Sequence, residues 1–397
     1  MQPIHVWPQE VKAQGDFVTH SALIEDRDPY TLWFRVPAEH AGLLSKRAES
    51  FVASTVFLAM MRGANLRVHA PLSPSFLRNI EELQALWSCW HRDFHLISIE
   101  VDSESESTIQ ASQRAISMFS GGVDSCYTVW RHTQNRCGRR ALPLQTALML
   151  HGSEIPLENT ELFERARQRS QNMLSAVGVE LVPLATNSLS VMPGVHRLRW
   201  FSTMLTSSLL LFQESHTTGL VPSSLAYNEL VLPHTLTPLN IPLYSTGRFA
   251  IEYDGAAFMR TKKMSEIVEW PEVLENLRVC NRPDSADVNC GRCEKCVRTI
   301  LTLRIIGIQD PPCFPNTLSD ADIEHIRMSG IALQEMNDVV EAAHAARVRA
   351  SWLTAIEKSL HTNKRRARWE QHPLRRRILR RTPENIKSIW RAIKRRL

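Results

Sequence analysis

The stretch MFSGGVDSCYTVW, residues 118–130, places Ser120-Gly121-Gly122-Val123-Asp124-Ser125 directly behind an apolar run. The preceding AISMF reads as a short buried strand, and CYTVWRHTQ continues beyond the loop as a helix. A strand–turn–helix of this kind leaves backbone N–H groups without intrahelical partners at the helix N-terminus. Glycines let an anion approach that backbone closely, and the helix dipole favours negative charge there. A Walker-type phosphate loop would need GxxxxGK followed by Ser or Thr, and this chain contains none.

Outward from the loop the pattern alternates between strand and helix. ALMLHG (147–152) and VELVPLAT (179–186) read as buried strands, with NTELFERARQRSQNMLSAVG (159–178) an amphipathic helix between them. RLRWFSTMLTSSLLLFQESH (197–216) reads as a further helix and TGLVPSS (218–224) as a further strand. Alternation of this kind predicts an α/β fold with a doubly wound parallel sheet, in which ligands bind outside the carboxyl ends of the strands. SGGVDS sits at one such end.

Residues 1–112 read as a separate α+β accessory domain. YTLWFRVP (30–37), ANLRVHA (64–70) and FHLISIEVD (94–102) alternate as half-buried strands do, and two helical stretches (45–63 and 73–90) lie between them. SESEST (103–108) reads as a polar exit linker into a domain spanning 113–310. Beyond the DPPCFP break (310–315), Ser319 and Asp322 can cap a helix, and residues 331–360 read as one long helix. Residues 311–397 are thus expected to form a helical extension.

The 397 residues are 43% hydrophobic and 22% charged, ordinary for a globular chain, and no apolar run approaches the ~20 residues of a membrane span. The opening MQPIHVWPQEVKAQGD has no basic stretch leading into an apolar one, so a cytoplasmic protein is expected. The net charge of +6 hides an asymmetry. Residues 361–397 hold 14 Lys/Arg and 2 Asp/Glu, so that tail carries +12 and the rest of the chain −6. Ile386, Ile389, Trp390, Ile393 and Leu397 follow helical spacing among its basic residues. A basic amphipathic tail suits nucleic acid, an anionic membrane, an acidic protein partner or an apolar groove on the chain's own body.

Eight cysteines in such a chain point to metal or free thiols. In VCNRPDSADVNCGRCEKCVRT, two interlocked C-x-x-C steps bring Cys290, Cys293 and Cys296 together, and Cys280 supplies a fourth thiol. Four thiolates complete a closed Zn²⁺ site with no open position for catalysis, and an iron–sulfur cluster is the competing occupant. Cys89, Cys126, Cys137 and Cys313 show no ligand spacing and are expected to be buried small hydrophobes. No HExxH and no Gly-x-Ser-x-Gly is present, which removes the usual zinc-hydrolase and hydrolase-elbow readings. His151 and Glu154, at a strand end, and Asn228 and Glu229, in SLAYNEL, are further cleft candidates.

SGGVDS resembles the pyrophosphate loop of the PP-loop adenine-nucleotide α-hydrolases, which bind ATP and transfer AMP rather than the γ-phosphate. The resemblance implies that Ser120 and Ser125 hydrogen-bond the β,γ-pyrophosphate, that Gly121, Gly122 and Val123 line it, and that Asp124 helps place Mg²⁺. Donors are what acceptor-rich phosphates need, and a cation is what their dense charge needs. FMRTKKMSEIVEW adds Arg260, Lys262 and Lys263 before a helix. Relatives carry a phosphate-facing lysine there in a K-x-E-I-V setting; Met264 holds that register in this chain, which makes Lys263 the expected counterpart.

Taken with CGRCEKCVR at 290–298, including Arg298, the loop makes the chain resemble the QueC-like, or 7-cyano-7-deazaguanine synthase, family over roughly residues 113–305. Those relatives activate a carboxylate as its adenylate for attack by ammonia and hold a structural Zn²⁺ on four cysteines. Two segments that face the substrate in the family differ: His151-Gly152-Ser153-Glu154 replaces a Tyr-Gly-Gln-Arg-His-type segment, and Pro193-Gly194-Val195-His196-Arg197 replaces Pro-Gly-Arg-Asn. The expected function is therefore an ATP-dependent, pyrophosphate-releasing ligase forming a C–N bond on an unnamed carboxylate or carbonyl. One alternative is a tRNA- or nucleobase-modifying enzyme. Another is a non-catalytic ATP sensor, since longer QueC-like proteins look similar to components of bacterial anti-phage defence.

Overall fold

A computed structural model describes residues 2–191, 197–280, 282 and 288–371. The chain divides into two compact units, Met1–Asn289 and Cys290–Leu397. The first is α/β, built on one 11-stranded, mostly parallel sheet.

The N-terminal part of that sheet holds β1 (Ile4–Pro8), β2 (Lys12–Gln14), β3 (Phe17–Glu25), β4 (Tyr30–Pro37), β5 (Leu66–Leu72) and β6 (Ile99–Glu104). Its helices are α1 (Glu49–Arg62), stopped by Gly63 at φ 61°, and α2 (Pro74–Trp90), which starts with proline in its first turn. β4 alternates as its sequence implies, with Leu32, Phe34 and Val36 inside. Residues 49–60 of α1 are all buried, and the hydroxyls of Ser54 and Thr55 bond back to the carbonyls of Ser50 and Phe51. Burial all round, rather than one apolar stripe, is why α1 carries hardly any polar face.

The second part runs β7 (Ala115–Met118), α3 (Val123–Thr133), β8 (Leu144–His151), α4 (Thr160–Ala176), β9 (Glu180–Thr186), α5 (Ser188–Val191), α6 (Arg197–Leu210), β10 (Thr218–Pro222) and β11 (Ala250–Asp254). All five strands are parallel, in the order β11-β10-β7-β8-β9. Numbered within this half and read from β9, that is 3-2-1-4-5, the order of a Rossmann-like doubly wound sheet, and its switch point lies between β7 and β10. Every residue of β7 is buried, as a central parallel strand covered on both faces must be. α7 (Arg260–Ile267) and α8 (Pro271–Asn276) follow β11 and pack on α3 and α4 respectively.

The two parts are continuous. β4 pairs antiparallel with β9 through Phe34–Thr186 and Arg35–Ala185. Asn187 Oδ1 accepts from the Trp33 amide at 2.9 Å, and its Nδ2 donates to the Thr31 carbonyl at 2.8 Å. One apolar cluster joins Phe34, Phe51 and Phe76 to Ile116, Leu148 and Leu209. The boundary expected at 112/113 thus falls within the span of one sheet. SESEST is tethered rather than a free linker: the Ser75 amide donates to Glu106 Oε1 at 3.1 Å and Ser107 Oγ to Glu214 Oε1 at 2.7 Å.

The second unit holds α9 (Glu294–Ile305), α10 (Asp320–Glu324), α11 (Ile331–Ala345) and α12 (Ser351–Gln371). Ser319 and Asp322 form the expected capping box at α10. The single helix expected over 331–360 is instead two. Arg347 adopts φ 55°, its amide bonds to the His344 carbonyl, and the Val348 amide bonds to that of Ala343. This is a Schellman stop with arginine in the left-handed position that glycine usually takes. No described helix is long and apolar enough to cross a membrane. Pro193 to His196 and the apolar positions of the tail from Ile386 to Leu397 lie outside the described residues.

Candidate functional site

β7 ends at the switch point, and the chain turns there through Ser120, Gly121 and Gly122 into α3. Gly121 sits at φ 74°, where a side chain would be strained. A Cβ on Gly122 would lie 3.3 Å from Ser120 Oγ and 3.4 Å from the Arg278 carbonyl oxygen. The two hydroxyls close the turn on itself: the Ser120 amide donates to Ser125 Oγ at 3.2 Å, Ser125 Oγ donates to the Gly122 carbonyl at 3.0 Å, and the two Oγ atoms are 3.4 Å apart. Val123 opens α3 with its side chain fully buried.

Two cations from α7 converge on the loop carboxylate. Arg260 Nη1 donates to Asp124 Oδ2 at 2.6 Å, and Lys263 Nζ donates to Oδ1 at 3.1 Å. Lys263 is only 1% exposed, and its ammonium also donates to the carbonyl and hydroxyl of Ser223, just past the carboxyl end of β10. A buried ammonium needs such a set of acceptors to offset lost hydration. Met264 is buried and Lys262 turns to Glu266, so Arg260 and Lys263 are the basic residues of this segment brought to the loop.

β11 contributes Asp254 beneath α3. Its carboxylate accepts from Thr128 Oγ1 at 2.9 Å and His132 Nε2 at 3.3 Å, with Arg131 at 3.5 Å. Burial works against its charged form, but the His132 hydrogen bond, the Arg131 charge and Thr128 outweigh it and hold the carboxyl below its ordinary range. The network fixes α3, and with it the loop at its N-terminus. Burial pushes the Tyr127 hydroxyl, on the same helix, up to about 12, against the opposing charge of Arg131.

The other candidates have partners of their own away from the loop carboxylate. Glu154 receives Arg278 Nη2 at 2.8 Å. His151 stacks on Phe163 at 4.3 Å and bonds to the Pro156 carbonyl; burial draws its pKa down, against that bond. It faces a cavity of about 590 Å³ between α4 and the β9–β4 junction, lined also by Arg35, His40 and Arg167, which contains none of residues 120–125. Glu229 Oε2 accepts from the Ala226 amide at 2.6 Å, so it caps a short turn, and Asn228 is exposed beside it.

The cysteine group was the other expectation. The thiols of Cys280, Cys290, Cys293 and Cys296 all lie within 4.8 Å of one another. Cys293–Cys296 and Cys290–Cys296 are 3.4 and 3.8 Å apart. Four sulfurs at about 2.3 Å from a tetrahedral Zn²⁺ are about 3.8 Å apart, so the spacing fits that ion. The Cys293 amide donates to Cys290 Sγ at 3.2 Å, a bond that stabilises a thiolate. Gly291 at φ 70° makes the tight turn inside the first C-x-x-C step. Of the remaining cysteines, Cys126 and Cys313 are buried as expected. Cys89 is exposed in the last turn of α2, and Cys137 is half-exposed in the connection that follows α3.

Three residues of the site escape any motif. Ser223 seats Lys263, Arg278 seats the loop, and Asn289 seats Cys280: its Oδ1 accepts from the amides of Val279 at 2.8 Å and Cys280 at 3.2 Å. The strand-end rule points to Ser223 in the sequence; Arg278 and Asn289 are marked only by lying within two residues of a cysteine ligand. The fold and site define an α/β protein with a Rossmann-like half, a glycine turn at its switch point and a Cys₄ group suited to a metal ion. Comparison with protein-family models, curated proteins and solved structures gives no match to this chain.

Proposed function

We propose that this chain is an ATP-dependent adenylating enzyme of the QueC-like type, with Zn²⁺ on Cys280, Cys290, Cys293 and Cys296 as a structural ion. What carries the reading is the convergence of Arg260 and Lys263 on Asp124 within a Ser-Gly-Gly turn at the switch point of a 3-2-1-4-5 parallel sheet. That point is where a doubly wound sheet places its ligands, and here Arg260 and Lys263 meet Asp124 beside it.

In this reading Ser120, Ser125 and the amides of Gly121 and Gly122 receive the β- and γ-phosphates. Arg260 and Lys263 neutralise charge on the departing pyrophosphate. Asp124 is a hard oxygen donor of the kind that Mg²⁺ takes alongside phosphate oxygens, and the ion supplies charge neutralisation when bound. An oxygen of the acceptor, carboxylate or carbonyl, attacks the α-phosphorus as its bond to the bridging oxygen of the β-phosphate breaks. A nitrogen nucleophile then displaces AMP and forms the C–N bond. Incubation with ATP, Mg²⁺ and a cell-extract pool of small carboxylates tests this: AMP and pyrophosphate are expected, and ADP with free phosphate overturns it. Tight ATP binding without AMP from any pool moves the reading to an ATP sensor.

A second reading has the same loop adenylate a nucleobase carbonyl while the basic tail holds RNA. Arg365, Arg366 and Arg368, exposed beside Trp369 on the last turns of α12, favour it. It requires pyrophosphate exchange that depends on tRNA and weakens steeply with salt.

A further inference from the structure

Arg278 belongs to no motif, yet it sets the direction in which the loop amides point. We propose that residues 277–280 form a strut, held by Asn289, whose Arg278 locks the Ser-Gly-Gly turn in its anion-receiving form. The proposal rests on reading that turn as a phosphate site.

The backbone N–H of Arg278 donates to the Gly121 carbonyl at 2.8 Å, and its Nε donates to the Ser120 carbonyl at 3.0 Å. A trans peptide is planar, with its N–H antiparallel to its C=O. Holding the Ser120 carbonyl toward Arg278 turns the Gly121 N–H away from it, and holding the Gly121 carbonyl turns the Gly122 N–H away. Two successive amides are thereby turned to the side opposite the strut, where the Gly122 N–H makes a long bond of 3.4 Å to Ser120 Oγ that an anion can replace. Without these donors the same two carbonyls can rotate toward the cleft, where they repel phosphate.

The strut is itself over-determined. Arg278 is 7% exposed and its Nη2 is fixed by Glu154 at 2.8 Å. Asn289, fully buried, accepts from the Val279 and Cys280 amides and donates Nδ2 to the Leu277 carbonyl at 2.7 Å. One asparagine thus grips three of the four strut residues, and the strut ends in Cys280, a member of the metal-suited group. Loading of that group and the geometry of the phosphate turn therefore share four residues. Arg278 is a positioning residue: it acts through the loop.

The test is amide hydrogen exchange over residues 118–126 in the zinc-loaded full chain, measured together with equilibrium binding of ATP and of adenosine. In Arg278→Ala, exchange in that segment is expected to accelerate about tenfold or more while zinc content stays at its wild-type value. ATP affinity falls by a similar factor and adenosine affinity does not, because only the phosphates use the turn. Arg278→Lys, which retains one side-chain donor, falls between. Stripping zinc from the wild type produces the same acceleration and adds nothing to Arg278→Ala, the non-additivity of two changes on one path. Should stripping unfold the chain, Asn289→Ala in loaded protein reads the same link, with faster exchange over 118–126 supporting it and unchanged exchange overturning it. Unchanged exchange in Arg278→Ala, or equal loss of ATP and adenosine, overturns the strut. A wild type that binds no ATP sinks the phosphate reading alone, since the exchange data still decide the strut.

Discussion

The Ser-Gly-Gly turn and the cysteine group are assembled in opposite ways. Three of the four cysteines fall within seven residues, so the chain needs only two tight turns to bring them together. The turn at Ser120 draws its partners from far along the chain: Ser223 after β10, Arg260 and Lys263 from α7, Arg278 before the cysteines. A locally built group of this kind can organise its own segment once a metal binds. A group gathered from strand ends exists only after the sheet has formed. Damage to the first should therefore appear as lost fold, and damage to the second as lost chemistry on an intact fold.

The largest effect is expected at the cysteines. Cys296 is fully buried, and Cys296→Ser removes one of four thiolates. Structural zinc contributes about 10–16 kcal/mol of apparent binding energy in small zinc domains. Zinc content is expected to drop from about one per chain toward none, with collapse of soluble yield. A Cys296→Ser protein that stays soluble and loaded, or a brown wild type carrying iron and sulfide, breaks the zinc side of the comparison. Next comes Asp124→Asn, which should lower AMP formation about 100-fold or more, the scale of a lost electrostatic contact. It also costs up to about 3 kcal/mol, because the buried Lys263 ammonium loses its charged partner. Circular dichroism should remain native; loss of the fold in this variant would erase the contrast drawn above.

A pH titration separates the fold from both sites. His20 and His216 are buried, and burial lowers each from 6.5 to about 4, with the Arg114 charge adding to it at His216. Both stay neutral in the folded chain while the unfolded chain protonates below 6.5, so stability is full above that pH and is lost as pH falls toward 4. The fall from 6.5 to about 4 is worth roughly 3 kcal/mol per histidine. Urea midpoints should fall steadily over that range, and His20→Leu should flatten part of the slope. Midpoints that are level or rising toward acid contradict it. The smallest effect is Arg347→Gly, which relieves a left-handed backbone at the stop of α11 and should raise stability by up to about 1 kcal/mol, read as a small gain in melting temperature.

The turn, its flanking strand and helix, and the cysteine spacing were legible because each is written in a few adjacent residues. β8, α4, β9, α6 and β10 were legible as apolar runs between turn signals. β1, β3 and β11 were not, because FVTHSALIE mixes histidine and serine into a buried strand and FAIEYD is too short to show a period. Nor was the joining of β4 to β9, since alternation tells which face is buried and not which strand is the neighbour. Polarity marked SESEST as a linker, yet Glu106 and Ser107 spend that polarity on Ser75 and Glu214. Arg278 and Asn289 are ordinary surface residue types whose roles arise only from partners more than a hundred and about ten residues away.

The most direct test is a crystal structure of the zinc-loaded chain with an ATP analogue that cannot be cleaved between the α- and β-phosphorus. Its β- and γ-phosphates are expected against Ser120, Gly121, Gly122 and Ser125, with Arg260 and Lys263 moved from Asp124 onto phosphate oxygens. Phosphates seated instead beside Arg35 and Arg167, in the cavity between α4 and the β9–β4 junction, would contradict the assignment.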